Sequence, residues 1–64
     1  MTQICDHYTR EEYEDLLGQA ESGAEGYREE EFVEDMRQKF RDYGTRAYLS
    51  DAQREWLENI AERG

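Results

Sequence analysis

Two four-residue segments constrain this chain more than anything else in it. Thr9-Arg10-Glu11-Glu12 and Ser50-Asp51-Ala52-Gln53 are both capping boxes. In each, the hydroxyl accepts from the amide three residues on, and the acid or amide side chain at that position reaches back to the cap's own amide. Each therefore fixes the start of a helix. The chain has no proline and few β-branched residues: one Val, two Ile and three Thr. No proline interrupts it, and the expected fold class is all-α.

Three helices follow from pattern and caps, spanning about 10–21, 28–43 and 51–62. In the first, Tyr13, Leu16, Leu17 and Ala20 recur at the spacing of one helix face. Tyr8 and Tyr13 occupy the two positions of a hydrophobic staple around the Thr9 cap. Gly18 weakens this helix, and Ser22-Gly23 is the expected stop. Residues 22–27 read as a short loop that turns the chain back antiparallel. In the second helix Phe32, Val33, Met36, Phe40 and Tyr43 make the apolar stripe. Glu29, Glu30 and Glu31 are placed in its first turn, where the helix dipole favours acids. Asp35 and Lys39 are spaced to pair, and Gly44 is the natural residue to end the helix. The third helix carries Gln53, Trp56, Leu57 and Ile60 at helical spacing. The expected core is Leu16, Leu17, Phe32, Met36, Phe40, Leu49, Trp56, Leu57 and Ile60.

At 64 residues the chain is a single domain, 1–64, with residues 1–8 expected to be a frayed N-terminal segment. A chain of this size buries only about 60% of its unfolded surface. The core is thin, so self-association as a helical homodimer is expected. The lack of a basic stretch and an apolar run at the N-terminus argues against a secretory leader, and no apolar run approaches a membrane span. The expected location is cytoplasmic.

Charge is divided unevenly along the chain. Residues 1–35 hold twelve acids and two bases, a net of −10, whereas residues 36–64 hold five acids and six bases, a net of +1. The acidic excess repels phosphate and argues against direct nucleic-acid binding. Arg37, Lys39, Arg41 and Arg46 form the one basic cluster, which the chain's own acids can neutralise. Five Tyr, two Phe and one Trp exceed what so small a core encloses. Tyr27, beside the glutamate run, is the aromatic most suited to a protein-binding surface.

Catalytic chemistry finds little support. Cys5-Asp6-His7 offers a thiol and an imidazole, but the chain has one Cys and one His. A zinc site needs four ligands, and a nucleophilic thiolate needs a rigidly placed base with a third group to orient it. One Cys also excludes an intramolecular disulfide. Carboxylates on exposed helix turns stay ionised and lack the apolar pocket that general acid catalysis requires. There is no phosphate-binding glycine loop. The expectation is no enzyme, no metal and no cofactor, with Cys5 packed against the first helix.

The segment from Phe40 to Ile60 places Tyr43, Gly44, Leu49, Ser50, Gln53, Trp56, Leu57 and Ile60 in an order that resembles small phage and prophage accessory proteins. By size and acidity the chain also resembles small phage-encoded inhibitors, anti-CRISPR proteins among them. That resemblance implies a non-enzymatic protein that binds a host protein in the host cytoplasm and occupies a basic nucleic-acid groove. Glu29, Glu30, Glu31, Glu34 and Asp35 are the expected charged contacts and Tyr27 the aromatic one. The competing expectation is a structural or regulatory helical module that associates through apolar helix faces, without mimicry.

Overall fold

The computed structural model describes residues 1–63. In chain order it has strand β1 (Thr2–Gln3), a 3₁₀ turn (Ile4–Asp6), helix α1 (Arg10–Gly23), helix α2 (Gly26–Tyr43), a second 3₁₀ turn (Gly44–Arg46), strand β2 (Tyr48–Leu49) and helix α3 (Asp51–Arg63). The three expected helices are present. α1 packs most extensively on α3, and α2 approaches α1 over a smaller area.

Both capping boxes form. Thr9 Oγ1 accepts from the Glu12 amide at 3.1 Å, and the Thr9 amide donates to Glu12 Oε1 at 2.8 Å. Ser50 Oγ accepts from the Gln53 amide at 3.1 Å, and the Ser50 amide donates to Gln53 Oε1 at 3.0 Å. The staple closes as well, with the Tyr8 and Tyr13 rings 5.7 Å apart.

The α1–α2 connection is shorter than the sequence suggests. α1 continues to Gly23 and α2 already begins at Gly26, leaving Ala24 and Glu25 between them. Gly26 enters the helix with φ of 79°, a conformation costly to any side-chain-bearing residue. Glu29 then returns to accept from the Glu25 amide at 2.9 Å and satisfies a free donor of the helix start. In consequence only Glu29 lies in the first turn; Glu30 and Glu31 fall beyond it. Gly44 ends α2 with φ of 63° and ψ of −146°, its amide bonded to the Phe40 carbonyl.

The N-terminal segment is not frayed. β1 pairs antiparallel with β2, Thr2 opposite Leu49 and Gln3 opposite Tyr48. The Ile4 amide donates to the Ala47 carbonyl at 3.0 Å, and Gln3 Nε2 donates to the Arg46 carbonyl at 3.2 Å. Ile4 is buried. This apolar residue, placed between polar neighbours, draws the segment onto the core, and the connector supplies the backbone partners that make the ordering affordable. Tyr8 completes the attachment by donating to the Glu58 carboxylate of α3. Cys5, expected against α1, is exposed.

The core consists of Ile4, Tyr13, Leu17, Ala20, Val33, Met36, Phe40, Ala47, Leu49, Leu57, Ile60 and Ala61. Three expected members lie outside it: Leu16 and Phe32 are half-buried, and Trp56 is 40% exposed. On α3, Leu57, Ile60 and Ala61 already close the buried arc, and Trp56, about 100° around the helix from Leu57 and about 40° from Ile60, lies just past its edge. Phe32 sits at the same flanking offset from Val33.

Two glycines give opposite expectations. A Cβ on Gly18 would meet nothing within 4 Å in the middle of α1, so Gly18→Ala should stabilise the protein by about 0.5–1 kcal/mol. Gly44→Ala forces a side chain into a positive φ and should cost about 1–2 kcal/mol. Urea unfolding of both variants checks the pair. Alkaline pH provides a second test. Burial pushes the hydroxyls of Tyr8 and Tyr13 up to about 12, with the Glu58 carboxylate assisting at Tyr8. The unfolded chain releases these protons near pH 10, while the folded chain retains them. The unfolded state then binds fewer protons, so stability should fall between about pH 10 and pH 12. Replacing both tyrosines by Phe should flatten that decline in chemical-denaturation midpoints.

Candidate functional site

The successive 100° steps of α2 sort its acids into two groups. Val33, Met36 and Phe40 point into the core. Glu29 lies on the same inner side and is half-buried. Its Oε2 contacts Arg63 Nη2 at 2.5 Å, while Oε1 holds the Glu25 amide. Arg63 foremost, then the Glu25 amide, hold the Glu29 carboxyl below the usual carboxylate range. Glu29 therefore ties the end of α3 to the beginning of α2. Of the expected contact residues, it is the one the fold turns inward.

Glu30, Glu31, Glu34 and Asp35 are all exposed on the outward arc. Tyr27, one turn before Glu30 and Glu31, is 78% exposed. Asp35 is 3.8 Å from Lys39 Nζ, a solvent-exposed pair of small energetic weight. Among the described residues, no cation lies within 4 Å of the carboxylates of Glu30, Glu31 or Glu34. Arg37, the base nearest to Glu34 in sequence, is engaged by Glu21 of α1 at 2.5 Å. The arc is therefore a strip of largely uncompensated negative charge that begins at an exposed tyrosine.

On one side this strip borders a shallow groove of about 430 Å³ between the end of α1 and α2, lined by Glu21, Glu30, Glu34 and Arg37. On the other it meets an aromatic pair that the sequence pattern hid. Phe32 and Trp56 stack with centroids 4.1 Å apart and planes inclined by 24°. Glu31, Asp35 and Arg28 surround them in a pocket of about 420 Å³. The pair was legible in principle: both residues sit one step outside a buried arc that is complete without them, on helices that face each other.

A third surface lies at the opposite end of α2. Met1, Tyr43 and Tyr48, all largely exposed, line a groove of about 570 Å³ with Lys39, Asp42 and Arg46.

Cys5 and His7 do not engage each other. Cys5 Sγ is 3.7 Å from Gln3 Oε1, and His7 Nε2 is 2.8 Å from Thr2 Oγ1. Among the described residues, no three His, Cys, Asp or Glu side chains converge as a metal-binding group, and no helix is long and apolar enough to cross a membrane. Comparison with protein-family models, curated proteins and solved structures finds no match.

The exposure of Trp56 sets an energetic expectation. Trp56→Ala should cost about 1–2 kcal/mol, whereas Leu57→Ala, at the fully buried neighbouring position, should cost about 2–5 kcal/mol. Thermal unfolding of the two variants decides whether Trp56 is a surface residue in solution.

Proposed function

We propose that this chain is a non-enzymatic protein-binding inhibitor of the small phage-encoded type, resembling anti-CRISPR proteins in size and acidity, and that it acts in the cytoplasm of a host cell. Its outward α2 face occupies a basic, nucleic-acid-binding groove on a host protein. The observation that carries this reading is the arc itself: Glu30, Glu31 and Glu34 stand together in solvent without a cation within 4 Å among the described residues. Like charges one helical turn apart repel by a few tenths of a kcal/mol per pair. A complementary cationic surface would turn that repulsion into association and speed the encounter. Asp35 extends the strip, and Tyr27 supplies a rigid amphipathic contact at its end. Glu29 is excluded from the contact set, because its carboxylate is committed to Arg63 and to the Glu25 amide.

A second reading is favoured by a different observation. Met1 of the N-terminal segment meets Tyr43 and Tyr48, from the half of the chain that lacks the acidic excess, around one groove. A homodimer joined there would place Lys39, Asp42 and Arg46 at the interface. It would cover apolar surface that water otherwise wets, without mimicry of nucleic acid.

Host lysate captured on the wild-type chain and on the Glu30→Lys, Glu34→Lys variant separates the two readings. Mimicry is expected to recover a nucleic-acid-binding protein that the variant loses, that added nucleic acid displaces and that rising salt releases steeply. A partner held equally by the variant and indifferent to salt would overturn mimicry. Tyr43→Glu should convert any dimer to monomer in sedimentation without altering that capture.

A further inference from the structure

We propose that the pocket between α2 and α3 in which Trp56 stacks on Phe32 is a seat for a guanidinium group, the side chain of an arginine on a protein partner. The inference rests on the reading that the partner is basic, and it names the group that anchors it.

Three features define the seat. The first is a ring surface left in water and held in place. Trp56 is 40% exposed, yet it is stacked on Phe32 at 4.1 Å. The side chain thus offers an aromatic surface to solvent while packed against a second ring. The second is the pair of carboxylates beside it. Glu31 and Asp35, one helical turn apart on α2, line the same pocket. A cation placed over an indole is attracted by the ring quadrupole, and flanking carboxylates add charge-assisted hydrogen bonds. A planar, weakly hydrated guanidinium can stack and bond sideways at once, which an ammonium cannot. The third is that the chain's own cations leave the ring free. Arg28 lines the pocket but has no carboxylate within 4 Å among the described residues. The cation found over a ring among those residues is Arg10, over Phe40 and 5.3 Å from its centroid. Lys39 holds Asp35 only through an exposed contact at 3.8 Å, which an incoming guanidinium can displace.

Arg28 makes the assignment testable in sign. Against a cation it is a repulsive neighbour, so removing its charge should tighten binding. Against an anion it would be the ligand, and its removal should weaken binding.

Trp56 is the single tryptophan, so its fluorescence reports occupancy directly in the full chain. Titration at low salt with a short arginine-only peptide should give a saturable change in Trp56 emission, with weaker binding of the matched lysine-only peptide. Calorimetry with the arginine peptide should show a loss of about tenfold in Trp56→Leu. The Glu31→Gln, Asp35→Asn variant, which leaves the aromatic stack intact, should lose a similar factor, and Arg28→Gln should bind about two- to threefold tighter. Circular dichroism establishes that each variant is folded. Wild-type affinity in folded Trp56→Leu, or in the double variant, would overturn the seat while leaving the acidic face as the binding surface. Weaker binding in Arg28→Gln would also overturn it, in favour of an anion. If neither peptide binds the wild-type chain at low salt, the seat and the basic-partner reading both fall.

Discussion

The contact between Ile4 and the Ala47–Leu49 connector holds the rest of this structure in place. Ile4, Ala47 and Leu49 are buried, and none of them belongs to a long helix. α1, α2 and α3 alone would leave one end of the core open, since the connector crosses that end as extended chain with exposed backbone groups. The N-terminal segment closes it by two means. Ile4 covers the apolar surface, and the β1–β2 pairing with the bond from Ile4 to Ala47 satisfies the backbone. Unpaired peptide groups at such a site would each cost on the order of 1–3 kcal/mol. Because the partners are more than forty residues apart in sequence, this closure also joins the start of the chain to the entry of α3, which Tyr8 reinforces through Glu58.

A second cross-link performs the same task at the other end of α2. Glu29 receives the Glu25 amide and the Arg63 guanidinium with its two oxygens. One carboxylate thus caps α2 and fastens the last turn of α3. That commitment separates Glu29 from its neighbours in the glutamate run. The remaining acids project into solvent from a helix tied at both ends. Trp56 stays stacked on Phe32 despite its exposure. A surface charge pattern and an exposed aromatic pair thereby stand side by side on the helix α2 and its neighbour α3.

How much of this was legible depends on the range of the interaction. Thr9 with Glu12, and Ser50 with Gln53, bond within one turn, so their pattern in the sequence is already their structure. The stripe Val33, Met36 and Phe40 reports the buried side of α2 because a helix converts spacing directly into direction. The start of α2 was misplaced by two residues because its cap is made by Glu29 with help from Gly26, and no local Ser, Thr or Asp marked it. Spacing from Ile60 places Trp56 near the core side of α3. Whether a flanking position is covered depends on the neighbouring helix, and α2 covers it with only a single ring, Phe32.

By itself, the amino-acid sequence determined the three helices, two of their starts, the positive-φ glycine that ends α2 and the uneven division of charge. These are consequences of short-range hydrogen bonding, side-chain periodicity and composition, none of which requires knowing where the helices lie. The tertiary structure alone decided that residues 2–8 are part of the fold, that Glu29 is a structural tie, and that Trp56 meets Phe32 beside Glu31 and Asp35. Each of those outcomes arises from groups distant in the chain, whose meeting depends on how α1, α2 and α3 share one small core.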